Sequence, residues 1–182
     1  MVLFVWYVGD AVAQGQKETV LQGFFTNDIY DCFPARQLQK DFSAHLGLEK
    51  GQRVIFDDDL FLDMNGEAVQ YTAASNGKVI AYMAVGELDF VVTTQEVYEH
   101  FVGQIPMRDL SALLPPDLYA RLSPCIALAE GTEGTDVPAA IEMSQCRFLQ
   151  GADLEGERYY LFVPYNAPHD QAICAFIRYC FP

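Results

Sequence analysis

Between Gln52 and Val92 the chain changes period, and that stretch constrains the fold more than any other. Arg53 to Phe56, Leu60 to Met64, Glu67 to Thr72 and Lys78 to Val85 read as short strands. Asn65-Gly66 separates the second run from the third, and Asn76-Gly77 separates the third from the fourth. A two-residue type I′ turn needs positive φ at both central positions, which Asn and Gly tolerate. The pattern predicts an antiparallel β-meander over residues 52–92, and with a few short helices packed on it the class is α+β.

The flanks supply those helices. In "FPARQLQKDFSAHLGLEKG", Pro34 suits a first helical turn, Gly47 suits a stop, and Leu38 and Phe42 share a face. Thr93 and Glu96 have capping-box spacing ahead of an apolar stripe at Val97, Phe101 and Val102, which predicts a helix over about residues 94–103. Met107 to Leu114 and Pro116 to Leu122 read as two helical pieces split at Pro115-Pro116. Thr19 to Thr26 and Arg158 to Val163 read as strands, and Val2 to Val8 as a strand covered on both faces. The run Ala140 to Leu149 fits either state. The last segment, "DQAICAFIRYCF", carries Ile173, Phe176, Ile177 and Cys180 at helical spacing, but its β-branched and aromatic content tilts the reading to strand.

With 182 residues, 51% of them hydrophobic, the chain has enough apolar material for one core, so a single compact domain is expected. A sub-boundary, if the chain has one, lies in the Gly-rich loop 130–138. Near the start, Ala11-Val12-Ala13 has the form of a signal-cleavage site, but Asp10 interrupts the apolar run and no base precedes it, so a strand is the preferred reading. No run approaches the length of a membrane span, and the protein is expected to be soluble.

Charge narrows the partners. The chain holds 25 acids against 11 bases, a formal charge of −14. Nucleic-acid binding needs Lys and Arg arrayed against phosphates, and anionic membranes need the same, so neither is an expected partner. Five cysteines at irregular spacings, with no C-x-x-C, fit free thiols in a reducing cytoplasm rather than a disulfide framework or a zinc site.

Catalytic motifs are absent. Within "FDDDLFLDMNGE" the oxygen ligands are dense enough to suggest calcium, but an EF-hand register puts Phe61 at the first ligand position. The loop "GTEGTD" lacks the lysine of a phosphate loop. No metal site or cofactor is expected. His169, held in the loop "PYNAPHDQ", is the most noteworthy of three histidines, with Cys174 or Cys146 as a partner only if the fold brings them together.

What stands above background is a one-signed stretch. Between Arg53 and Arg108 there are nine acids and one base, Lys78. Asp57, Asp58, Asp59, Asp63, Glu67, Glu96 and Glu99 would steer a basic protein, and Tyr71 and Tyr98 would anchor it. The expected function is therefore an acidic binding module that neutralises a basic partner. Size and composition suit an immunity-type inhibitor that blocks a bacterial toxin by occlusion, although no motif identifies a family. A second reading is an enzyme whose Cys/His site forms only in three dimensions. A third is an assembly component that self-associates through a sheet edge.

Overall fold

Strand β1 (Glu18–Thr26) organises the molecule because its residues from Leu21 onward are buried on both sides. A strand covered on two faces belongs in the middle of a sheet with helices above and below it. The computed structural model describes residues 17–64, 66, 68–130 and 135–182; the strand expected over residues 2–8 lies outside them. After β1 come α1 (Ala35–Leu46), β2 (Gln52–Leu60), α2 (Val69–Ala84), β3 (Phe90–Thr94) and α3 (Gln95–Phe101). They are followed by α4 (Leu110–Leu113), α5 (Pro116–Leu122), β4 (Ile126–Glu130), β5 (Asp136–Glu142), β6 (Tyr159–Phe162) and α6 (Asp170–Cys180). Among the described residues the result is one α+β domain around a six-stranded mixed sheet, in the order β2-β1-β3-β6-β5-β4.

β1 pairs in parallel with both β2 and β3, whereas β3, β6, β5 and β4 pair antiparallel in turn. The chain first moves from β1 to one neighbour and then back across β1 to the other. Right-handed crossovers in opposite directions place their helices on opposite faces. Accordingly Leu38 and Phe42 of α1 join the core on one face with Ile173, Phe176 and Ile177 of α6. Val79 and Met83 of α2 join the other, with Val97, Tyr98 and Phe101 of α3.

This topology replaces the antiparallel meander. Residues read as the third and fourth strands form α2, and Asn76-Gly77 lies inside that helix. Ser75, Val79 and Met83 are its buried positions, four residues apart, so the decisive period was helical. A mid-helix Gly costs about 1 kcal/mol relative to Ala, less than burying Val79 and Met83 returns. Gly66 does take positive φ, 84°, in the connection between β2 and α2.

The last segment also differs from its strand reading. It is helix α6, whose residues Ile173, Phe176, Ile177 and Cys180 are fully buried. Thr93 does not cap α3. It lies in β3, and its hydroxyl meets that of Thr26 at 2.5 Å. The ambiguous run Ala140 to Leu149 divides, with β5 ending at Glu142. The segment read as a loop over 130–138 includes paired ends of β4 and β5, with Glu130 opposite Asp136 in the same sheet. Among the described residues no helix is long and apolar enough to cross a membrane.

One close contact sets the spacing of the parallel strands. Gly23 is in register with Phe90, and a Cβ on Gly23 would lie 2.1 Å from the end of the Phe90 ring. The ring therefore lies over bare backbone and stacks on Phe176 at 4.4 Å, within a cluster that includes Phe25 and Phe56. Gly23→Ala should lower stability by about 3 kcal/mol by overpacking, and Phe90→Leu in the same chain should restore part of that loss. Chemical denaturation of both variants checks this; an unchanged midpoint for Gly23→Ala would contradict the packing.

Candidate functional site

At the carboxyl end of β1 the chain turns sharply, with Asn27 and Asp31 at φ 57° and 52°. Asn27 exchanges two hydrogen bonds of 2.8 Å with the Leu62 backbone, as a strand neighbour would. Asp28 accepts from the amides of Cys32 (3.0 Å) and Phe33 (2.6 Å). The Tyr159 hydroxyl lies between them, donating to the Asn27 carbonyl at 3.2 Å and lying 3.5 Å from the Asp28 carboxylate. Burial pushes the Asp28 pKa up; the two amides pull it back, and the charges of Asp31 and Asp58 raise it again.

Two further segments converge on this end of the sheet. Asp58, near the end of β2, accepts from the Ala35 amide at 2.8 Å and so satisfies the N-terminus of α1. The loop before β6 brings Asp153, Glu155 and Glu157. Partial desolvation and these three carboxylates together push the Tyr30 phenol up. Burial, followed by Asp28, raises Tyr159 in the same way, with Glu157 adding to it. Asp28, Asp31, Asp58, Asp153, Glu155 and Glu157 thus form one acidic rim from three segments. Ile29, which lies between Asp28 and Tyr30 in the chain, is 67% exposed. No ion pair among the described residues involves any of the six.

No family model, curated protein or solved structure matches this chain. The function must therefore be argued from the geometry.

Of the residues singled out in the sequence, only Asp58 belongs to this rim. Asp57 is paired with Lys78, and its carboxylate also takes the Asp59 amide. Asp59 is exposed, with its carbonyl accepting from the Tyr71 hydroxyl at 2.6 Å, and Tyr71 is itself exposed. Asp63 accepts from the Ala68 amide ahead of α2. Glu67 lies outside the described residues. Glu96 and Glu99 are exposed on α3, which leaves the same edge of the sheet; the Gln95 amide donates to the Arg158 carbonyl at 2.8 Å. Tyr98 is no surface anchor. It is buried and stacked on Tyr160 at 4.8 Å, and burial pushes its pKa up to about 12. Asp28, Asp31 and the 153–157 loop escaped sequence reasoning because their convergence depends on knowing that β6 lies beside β3.

His169 occupies a different place. It precedes α6, and its Nδ1 lies 2.9 Å from Asp89, a fully buried carboxylate. Asp89 also takes the amides of His169 (3.1 Å) and Gln22 (2.6 Å), while its own amide donates to the Gln22 carbonyl at 2.9 Å. The carboxylate thus stands in for the strand carbonyl that β1 lacks just before its pairing with β3 begins. Desolvation raises the Asp89 pKa, and the bonds from His169 and Gln22 oppose it.

Such a pair fixes an imidazole as a catalytic orienter would, but no described hydrogen bond joins His169 to a hydroxyl or thiol. Cys174 donates to the Leu113 carbonyl at 3.6 Å, and Cys146 is hydrogen-bonded to the buried Cys180. Among the described residues no group of three or more His, Cys, Asp or Glu side chains is disposed to hold a metal. The Asp89–His169 pair reads as a clamp between β3 and α6.

Two outcomes follow. Asp89→Ala leaves the Gln22 and His169 amides without their acceptor and should cost about 3 kcal/mol, against about 1 kcal/mol for His169→Ala, whose ring is partly exposed. Equal losses by denaturant titration would contradict the clamp. For Asp28, a raised carboxyl binds its proton more tightly in the folded chain than in the unfolded one. Its ionisation therefore costs stability as pH rises from about 3.9 through the raised value. Asp28→Asn lacks that cost, so its unfolding free energy minus that of the parent should increase across this window; a flat difference in urea titrations at several pH values would refute it.

Proposed function

We propose that this chain is a binding protein whose acidic rim takes a basic protein partner. The observation that carries this reading is the rim itself: six carboxylates with no ion-pair partner among the described residues gather at the carboxyl edge of the sheet, where the neighbouring Ile29 is exposed. A one-signed surface focuses the field and speeds encounter with a cationic partner, and an apolar centre provides area to bury once contact is made. Occlusion of a cationic cleft, as in an inhibitor of a basic toxin, is the form of the function that fits this geometry. A reducing compartment such as the cytoplasm suits the five free thiols.

The test must spare carboxylates that hold the fold. Asp57 and Asp58 are committed to Lys78 and to α1, so reversing them would confuse binding with folding. Asp153 and Glu155, both exposed, are better targets. In the double change Asp153→Lys and Glu155→Lys, the fold should persist by circular dichroism, because exposed charges contribute little to stability. Association with the basic protein recovered by pull-down should slow about tenfold or more at low salt. Ile29→Ala should act on dissociation instead. Wild-type association and dissociation rates for both variants would refute the proposal.

A further inference from the structure

We propose that Cys146 and Cys180 form a peroxide-sensitive dithiol, which closes into a disulfide that fastens the end of α6 to the connection between β5 and β6. The inference is independent of the acidic rim. Both residues are fully buried in the same core, and their side chains are hydrogen-bonded to each other. The backbone joins them separately, because the Arg147 amide donates to the Cys180 carbonyl at 3.0 Å. A bond from the residue after one cysteine to the carbonyl of the other draws the two α-carbons into the range, about 4.4–6.8 Å, that a disulfide spans. The Cys146 amide donates to the Met143 carbonyl at 2.8 Å and the Leu149 amide to the Cys146 carbonyl at 3.0 Å, so the thiol is carried on a tight turn.

The surroundings of the five free thiols single out this pair. Cys32 and Cys174 are the partly exposed ones, but both are poor nucleophiles. Burial pushes them up, and nearby carboxylates add to it: Asp28 and Asp31 at Cys32, Asp170 at Cys174. Burial raises Cys125 too, with Glu142 adding to it. Cys146 alone is pulled the other way. The hydrogen bond from Cys180 favours its thiolate against the cost of burial, and the amides of Phe148 and Leu149 and the charge of Arg147 reinforce it. Arg147 is held beside the pair, its guanidinium 3.7 Å from the centre of the Tyr179 ring. Cys180 is pushed up by burial and then by the bond it shares. The roles therefore divide: Cys146 attacks, and Cys180 keeps its proton until the second step.

In the first step the Cys146 thiolate attacks one oxygen of a peroxide. The O–O bond breaks, and hydroxide leaves with the electron pair and takes up the proton that Cys146 released. The Cys180 sulfur then attacks the resulting sulfenic acid: an S–S bond forms, the S–O bond breaks, and the Cys180 proton leaves with the hydroxyl as water. Two thiols are oxidised, and one molecule of hydrogen peroxide is reduced to two waters. Cys146 follows the exposed Ser144 and Gln145, so opening of one short surface turn admits an oxidant of that size. In a reducing compartment the pair rests as thiols and closes only under oxidant.

The folded chain, treated with a small excess of hydrogen peroxide, should lose two of its five alkylatable thiols. Its intact mass should fall by about 2 Da, and peptide mapping should place the link between Cys146 and Cys180. Dithiothreitol should restore both thiols. The closed form should unfold at higher urea than the reduced form, since a link over so long an interval restricts the unfolded chain. Cys146→Ala should keep its remaining thiols through the same treatment. Cys180→Ala should stop at the Cys146 sulfenic acid, about 16 Da heavier and trapped by dimedone. The wild-type map decides the matter if either variant folds poorly. A chain that keeps all five thiols, or that oxidises Cys32 or Cys174 first, would overturn the proposal. So would a Cys146–Cys180 link that forms only once the chain is unfolded in urea, because the fold would then not be what pairs them.

Discussion

Phe90 lies across β1 because position 23 has no side chain, and much of the fold hangs on that contact. The ring fills the space between β1 and α6, so a parallel pair, a helix face and four aromatic rings meet at one point. Parallel strands cannot be joined by a tight turn, so their proximity has to be secured by what packs on them. Here the packing comes from the far end of the sequence: Phe176 belongs to the last helix, while Gly23 belongs to the first described strand. Closing so long a loop costs entropy that local contacts do not repay, which makes the aromatic cluster the natural place for the chain's two ends to be locked together.

Buried polar groups then fix the register that apolar packing leaves loose. Asp89 supplies an acceptor on the side of β1 where pairing with β3 has not yet begun, Asn27 does the same for Leu62, and the Thr26 and Thr93 hydroxyls pair between neighbouring strands. Each satisfies a group that would otherwise be desolvated without a partner, and a slip of one residue would undo all three. Not every such group is satisfied: the Tyr98 hydroxyl, the Asn76 carbonyl oxygen and the Asn166 carbonyl oxygen have no partner among the described residues.

Where the residues act locally, the sequence was legible. Pro34 and Gly47 bracket α1 as read, with Gly47 in the left-handed conformation of a helix stop. β1 and β6 were visible from their apolar runs. Legibility failed where a local signal competed with burial. Asn76-Gly77 has the chemistry of a hairpin turn, yet Val79 and Met83 gain more on the buried face of a crossover helix. Ile173, Phe176, Ile177 and Cys180 have a helical spacing that residue type disguised, and burial of that face decided the state. The acid-rich character of the surface could be read from composition, but its arrangement could not. Asp58 and Glu157 are separated by about a hundred residues and meet only through the order of the strands.

That order also explains why acids gather where they do. A helix that enters a right-handed crossover starts at the carboxyl end of the preceding strand, so its unpaired amides and positive dipole end face that edge of the sheet. At α1 those amides are met by Asp58, and the tight turn just before it by Asp28. Two carboxylates of the rim therefore have a structural reason to be there. Asp31, Asp153, Glu155 and Glu157 have none of this kind. The carboxylates of Asp153 and Glu157 accept from the amides of Glu155 and Arg158 in their own segment, and not from a helix N-terminus. Each added charge raises the electrostatic cost of its neighbours, on top of the burial that chiefly lifts the Asp28 and Tyr30 pKa values. Carboxylates that add such a cost without supporting the fold are what the proposed basic partner would relieve, since its cations would neutralise charge that folding alone leaves unpaired.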